Sequence, residues 1–329
     1  MELLRKYGKK CLVEPNGVLE CWSIGFSHRS ITPFRLPITP PHDAARLLRE
    51  RMACWEVTMS KLEQLQELLR SYGSCLIAYS GGVDSVLLAY VARQTLGDKS
   101  LAVLADSPSL PRRELEEAAA IAARFSIPLR IIQTREFDNP AYVANPENRC
   151  YFCKHELFTH LAPLARQEHF AVIAYGENAS DAGDFRPGAQ AAGEFQVRAP
   201  LKEAGLTKPE IRALSAQFGL PTADKPQMAC LSSRVPFGEA VTPEKLLMIE
   251  RAEYVLRDLG FHDLRVRHHE LPGQGRALAR IEVGGAEMAK FLNNGAGAQV
   301  AEALKKIGYA HVTLDLQAYR RGNLNPVGL

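Results

Sequence analysis

Two sets of residues in this chain have types and spacings that could do chemistry. The first is the hexapeptide Ser80-Gly81-Gly82-Val83-Asp84-Ser85. Its two glycines let backbone N–H groups approach an anion with no Cβ in the way. Ser80 and Ser85 add hydroxyl donors, and Asp84, which repels phosphate, suits a Mg2+ or water ligand on the phosphates. The second set is sulfur: Cys150 and Cys153 form a C-x-x-C pair, and Cys230 follows further along. Such a pair reads as a redox dithiol, half of a zinc site, or part of an iron–sulfur site. The redox reading expects a helix start behind a thioredoxin-like strand, which is not the context here. Zinc needs four ligands, and His155 is too close in sequence to be an obvious fourth. Three thiolates with an open fourth corner suit a 4Fe–4S cluster whose free iron can carry an extra sulfur. The bland alternative is three unrelated buried cysteines.

The hexapeptide can face an anion only if a strand and a helix hold it. Residues 75–79 form a short apolar run suited to a buried parallel strand, and residues 86–92 are apolar at helical spacing until Gly97. Strand, glycine turn and helix aim unpaired N–H groups and a positive helix end at the ligand. The rhythm then repeats. Strands are predicted at 101–105, ending at Asp106-Ser107, at 129–133 and at 171–175, with a helix opened by Pro111 between the first two. This alternation predicts an α/β fold, a parallel sheet with helices on both faces. Ligands of such sheets bind at the carboxyl ends of the strands, where the hexapeptide, Asp106 and the segments after Gln133 and Tyr175 all fall.

Residues 200–219 contain one more helix, and residues 220–241 are irregular and hold Cys230. Thr242-Pro243-Glu244 caps a helix running to Gly260, with Leu247, Val255, Leu256 and Leu259 on its buried side. Strands at 264–268, 277–283 and 310–316, with helices near 286–292 and 297–307, complete a small α+β domain. Upstream, the capping box Ser60-Lys61-Leu62-Glu63 opens a helix ended by Gly73. Residues 1–58, with Pro33, Pro37, Pro40 and Pro41 and no sustained periodicity, read as an extension of uncertain order. The organisation predicted is therefore 1–58 extension, 59–236 nucleotide-binding domain, and 237–329 substrate or oligomerisation domain.

A chain of 329 residues suits two domains, and 46% hydrophobic with 23% charged residues is the balance of an ordinary globular protein. No run approaches the apolar length of a membrane span, and no apolar signal core follows the charged start. Seven unevenly spaced cysteines argue against a disulfide scaffold and for a reducing, cytoplasmic setting. The net charge of +3 comes from residues 1–58, which carry nine Lys/Arg and six Asp/Glu, leaving 31 of each sign beyond. No basic field supports a nucleic-acid partner.

The hexapeptide resembles the S-G-G-x-D-S signature of the PP-loop ATP pyrophosphatases, which cleave ATP between its α- and β-phosphates. Four stretches together resemble the LarE-type sulfur transferases: S-G-G-V-D-S, Arg149-Cys150-Tyr151-Phe152-Cys153-Lys154, Gly176 to Asp181 followed by Asp184-Phe185-Arg186-Pro187-Gly188, and Ala229-Cys230-Leu231-Ser232-Ser233-Arg234. That resemblance covers residues 59 to about 318. It implies adenylation of a carboxylate on a pyridinium dicarboxylate mononucleotide and replacement of its oxygen by sulfur, in nickel-pincer cofactor biosynthesis. It implies ATP and Mg2+, a small-molecule nucleotide substrate, a homo-oligomer and a sulfur-donor protein. In one type of the family a single cysteine matching Cys230 gives up its own sulfur. In the other, three cysteines hold a 4Fe–4S cluster, and Cys150, Cys153 and Cys230 resemble that type.

In this reading Ser80, Gly81, Gly82, Val83, Asp84, Ser85, Asp106 and Arg234 serve the nucleotide. Arg265 and Arg267, which alternation puts on one face of strand 264–268, suit the substrate's anionic groups, with a solvated strand face as the alternative. Asp181 and Arg186 belong to matched motifs and are the other expected substrate-binding residues, while Glu253 and Glu282 match acidic positions of the family near the sulfur donor. Cys230, Asp84 and Glu253 are the expected catalytic groups. Two enzymatic alternatives use the same loop: a tRNA thiolase, against which the balanced charge argues, and an amide synthetase of the NAD or GMP kind, which would leave the cysteines without a purpose. A nucleotide-binding regulator that has lost catalysis would not need an intact Asp84 and cysteine set.

Overall fold

The computed structural model describes residues 9–13, 19–23, 42–181, 187–226, 229–271, 273, 275–292 and 295–319. Two units are distinct, Met1–Ser60 and Lys61–Leu329. In the first, β1 (Lys9–Val13) and β2 (Leu19–Ser23) pair antiparallel, with Cys11 opposite Cys21. Helix α1 spans His42–Tyr72, so residues 60–63 do not open it. The upstream stretch is rich in Ala, Leu, Arg, Glu and Met, good helix formers that carry the helix through Ser60.

The second unit is built on a parallel sheet in the order β5-β4-β3-β6, from Leu129–Gln133, Ser100–Asp106, Cys75–Tyr79 and Val172–Tyr175. The central strand β3 is buried along its whole length, which explains its unbroken apolar sequence. Leu76 and Ala78 pack with Phe158, Leu161 and Ala165 of α5 (Arg149–Gln167) and with Ala191 and Ala192 of α6 (Pro187–Glu194). On the alternate face, the Tyr79 hydroxyl donates to the Ala118 carbonyl of α3 (Arg112–Arg124) at 3.1 Å. The sheet is therefore covered by helices on both sides, with α2 (Val83–Leu96) following β3 directly. The short helix α4 (Pro140–Val143) lies in the crossover from β5 to α5.

Residues 200–219 form two helices rather than one, α7 (Pro200–Glu203) and α8 (Lys208–Gln217). Gly205, at φ +67°, ends the first turn, and Thr207 with Glu210 forms a capping box that starts the second. Helix α9 (Pro243–Asp258) precedes a small sheet of β7 (Leu264–Leu271), β8 (Arg276–Val283) and β9 (Tyr309–Leu314), with α10 (Met288–Leu292) and α11 (Ala296–Ile307) between the last two. Strands β7 and β8 are antiparallel, and β8 and β9 parallel. Their core joins Ala252, Leu256, Phe261, Val266, Ile281 and Leu304. The face of α9 differs from the expected one. Leu247 is 45% exposed, and the buried stripe is Leu246, Ile249, Glu250, Ala252, Glu253 and Leu256. Two glutamates on that stripe hide it from a reading based on apolar spacing.

Among the described residues, no helix is long and apolar enough to cross a membrane.

Candidate functional site

The hexapeptide turns between β3 and α2 as its glycines require. Gly81 has φ +71°, and a Cβ there would meet the Ala118 Cβ at 2.6 Å. The Ser80 N–H donates to Ser85 Oγ at 3.1 Å, and Ser85 Oγ donates to the Gly82 carbonyl at 3.0 Å. Across the loop lies Gly176, just after β6. A Cβ on it would sit 2.9 Å from the Ser85 nitrogen, so only glycine lets these segments meet.

Asp84 is not alone. Lys208 at the start of α8 donates to its Oδ2, and Asn178 Nδ2 donates to Oδ1 at 3.2 Å. Asp181 accepts from the Asn178 N–H at 3.1 Å, and Ser180 Oγ accepts from the Lys208 N–H at 2.9 Å. The segment after β6 thus holds both partners of Asp84. Sequence reasoning misses Lys208. A cation in the first turn of a helix opposes the macrodipole, and that local conflict is its only signal in the sequence. Asp106, at the end of β4, pairs with Arg112 and accepts from Gln133 Nε2 at 2.7 Å. Arg186 lies outside the described residues.

The three sulfur residues of the sequence reading influence one another electrostatically. Cys150 and Cys153 sit in the first turns of α5, and Cys230 immediately precedes a 3-10 turn, Leu231–Arg234. Burial raises the Cys150 thiol, and Cys230 raises it further. Burial pushes the Cys153 thiol up to about 12, with Glu136, Cys230 and Cys150 adding to it. All three sulfurs therefore lie within electrostatic reach of one another. Cys150 is exposed as a residue, and the other two are half-buried. Among the described residues, no three His, Cys, Asp or Glu side chains close at metal-ligand geometry. Cys75 lies apart from these three, in the β3 core. Glu136, the neighbour of Cys153, is 2% exposed, and its Oε2 has no hydrogen-bond partner.

The Cys230 segment is held through its carbonyls. Arg234, 0% exposed, donates through Nη1 to the Ala229 and Cys230 carbonyls at 2.5 and 2.9 Å. Burial alone would raise the Glu253 carboxyl, but Arg234 holds it below its ordinary range. Val266 N–H also donates to Glu253 Oε1 at 3.1 Å. Arg267 pairs with the buried Glu282 at 2.7 Å and donates to the Ser233 carbonyl at 2.9 Å. Arg149 donates to the Ser232 carbonyl at 3.0 Å. Arg265 is buried beside them, its guanidinium lowered by burial and by Arg234, and lies 4.8 Å over the Tyr319 ring. The arginine face of β7 is thus interior, not solvated, with the Arg265 and Arg267 side chains packed under the sulfur-bearing segment.

A parallel sheet with an S-G-G-V-D-S turn between its central strand and the next helix defines an ATP-binding α/β protein of the PP-loop type. No protein-family model matches the chain. It is 45% identical over 268 residues to an uncharacterized protein of Synechocystis, covering 82% of this chain and 98% of that protein. It is 30% identical over 269 residues to the pyridinium-3,5-bisthiocarboxylic acid mononucleotide synthase of Lactiplantibacillus plantarum, covering 81% of this chain and 94% of that enzyme. One subunit of the glutamine-hydrolyzing GMP synthase of Thermoplasma acidophilum is 27% identical over 219 residues, 61% of this chain and 69% of that polypeptide. The chain belongs to the family of the pyridinium-3,5-bisthiocarboxylic acid mononucleotide synthases, the LarE-type members of the PP-loop superfamily.

Proposed function

We propose that this protein is an ATP-dependent sulfur transferase of nickel-pincer cofactor biosynthesis, acting on a pyridinium dicarboxylate mononucleotide. The observation that supports the reading is that Cys150, Cys153 and Cys230 act on one another electrostatically in a chain with a PP-loop sheet. An amide synthetase built on the same loop has no use for that trio.

A carboxylate is a poor electrophile because its oxygen is a poor leaving group. In the first step a substrate carboxylate oxygen attacks the α-phosphorus of ATP, the α–β phosphoanhydride bond breaks and pyrophosphate departs. Ser80, Gly81, Gly82, Val83 and Ser85 supply backbone and hydroxyl donors to the departing charge. Lys208, paired with Asp84 here, would serve the phosphates of bound ATP, and Asp84 would hold the Mg2+ that accompanies it. Asp106 lines the nucleotide pocket at the carboxyl edge. In the second step a sulfur presented at the Cys230 segment attacks the acyl carbon. The bond to AMP breaks, and AMP leaves with the former carboxylate oxygen.

Cys150, Cys153 and Cys230 would hold a 4Fe–4S cluster, which when bound supplies a sulfide already deprotonated at neutral pH. Arg265 and Arg267, interior beneath the Cys230 segment, would act on the anionic groups of the substrate through that segment rather than by direct contact. Arg234 and Glu253 act on Cys230 by fixing its carbonyl, and Arg186 belongs to the same substrate-facing motif as Asp181.

The test is incubation of the anaerobically purified protein with ATP, Mg2+ and the dicarboxylate mononucleotide. AMP and pyrophosphate should form together with a thiocarboxylate detected by mass. An amide, or a thiolated RNA in place of the thiocarboxylate, would overturn the reading.

A further inference from the structure

Three buried hydroxyls close a ring beneath Cys230. Ser109 Oγ and Tyr142 Oη are 2.6 Å apart, Ser109 Oγ and Ser232 Oγ 2.8 Å, and Tyr142 Oη and Ser232 Oγ 2.8 Å. Each group can donate once and accept once, so all three are satisfied without water. They come from three segments: the loop after β4, helix α4 before the C-x-x-C pair, and the turn that follows Cys230. The Leu231 N–H also donates to the Ser109 carbonyl at 2.9 Å.

Ser232 therefore does two things. Its hydroxyl enters the ring, while its carbonyl accepts from Arg149, the residue before Cys150. Ser232 thus ties the turn after Cys230 to the residue before Cys150, beside Asn145, whose Nδ2 donates to the Val235 and Pro236 carbonyls. Tyr142 lies close enough to the sulfurs that Cys230 and Cys153 both act on its hydroxyl electrostatically.

We propose that Ser109, Tyr142 and Ser232 are positioning residues that hold Cys230 against Cys150 and Cys153, so that three thiols on two segments present one binding site for a thiophilic group. The ring's anchor on the loop after β4 also fixes the thiol site relative to the strand end that bears Asp106. The inference rests on the sulfur-transferase reading only in taking the trio as one site.

The test uses Cd2+ alone as the probe on the full-length reduced protein. The thiolate-to-Cd2+ charge-transfer absorbance reports how many sulfurs share one ion. Wild type should show three thiolates on one Cd2+. Tyr142→Phe and Ser232→Ala should show two or fewer, with affinity lowered about 10–100-fold, as for loss of an outer-shell partner. Ser232→Thr, which keeps the hydroxyl, should restore three. Circular dichroism and ATP binding confirm that the variants are folded, and a loss of stability alone would not change the sulfur count of folded protein. Three thiolates in Tyr142→Phe and Ser232→Ala at unchanged affinity would overturn the ring's role and leave the trio intact. Fewer than three in wild type would overturn both the ring's role and the premise of one sulfur site, while leaving ATP cleavage untouched.

Discussion

Arg234 and Glu253 face each other as a bidentate pair, Nε to Oε1 at 2.9 Å and Nη2 to Oε2 at 3.0 Å, inside the protein and beside Cys230. The remaining guanidinium nitrogen holds the Ala229 and Cys230 carbonyls. Glu253→Gln leaves a buried cation half-paired and should cost about 3–5 kcal/mol in urea unfolding. Replacing both residues by apolar ones of similar volume should recover much of that stability but not sulfur transfer, because no guanidinium then holds the Cys230 carbonyl. Equal recovery of transfer would show that the pair serves stability alone.

Lys208 forms an ion pair with Asp84, the PP-loop carboxylate. A charge-assisted hydrogen bond is worth about 1.5–3 kcal/mol, so Lys208→Ala should weaken binding of a non-hydrolysable ATP analogue about 10–100-fold by calorimetry. Unchanged affinity would remove Lys208 from the phosphate site.

Glu136 places a buried, unpartnered carboxylate oxygen near Cys153 and is one of the causes that raise its thiol. Glu136→Gln should stabilise the protein by about 1 kcal/mol or more in urea. It should also lower the pH at which Cys153 becomes a thiolate, read from the pH dependence of its alkylation. Unchanged titration of Cys153 would place the carboxylate too far from the sulfur to matter.

His268, buried in the small sheet beside Tyr309, has its imidazole pushed down to about 4 by burial. Its neutral form is the folded form. The stability it contributes is fully present above its unfolded value of 6.5 and is lost as pH falls from there toward 4, by up to about 3 kcal/mol. Urea midpoints measured across that window should fall in wild type and fall less in His268→Gln. Parallel slopes would assign the acid limb to the carboxylates.

The parts of this molecule that can be read in the sequence are those with a period or a motif. Strand β3, the glycine turn and helix α2 follow from an apolar run, two glycines and a helical stripe, and the parallel order follows from the alternation of elements. The convergence of Cys230 on Cys150 and Cys153 is expected from resemblance, not from spacing. What the sequence hides is polar and interior. Glu250 and Glu253 lie on the buried stripe of α9 where apolar spacing puts Leu247. Ser109, Tyr142 and Ser232 form a ring with no signature in any one segment. Lys208 reaches Asp84 from another helix. Such contacts depend on which segments meet, which local patterns do not encode.

The most direct measurement follows the oxygen. With a substrate whose carboxylates carry heavy oxygen, attack on ATP and later displacement by sulfur must leave one labelled atom in the AMP released. Labelled AMP formed in step with thiocarboxylate is the predicted result. Unlabelled AMP, or ADP and inorganic phosphate in its place, would contradict an acyl-adenylate and with it sulfur transfer to an activated carboxylate.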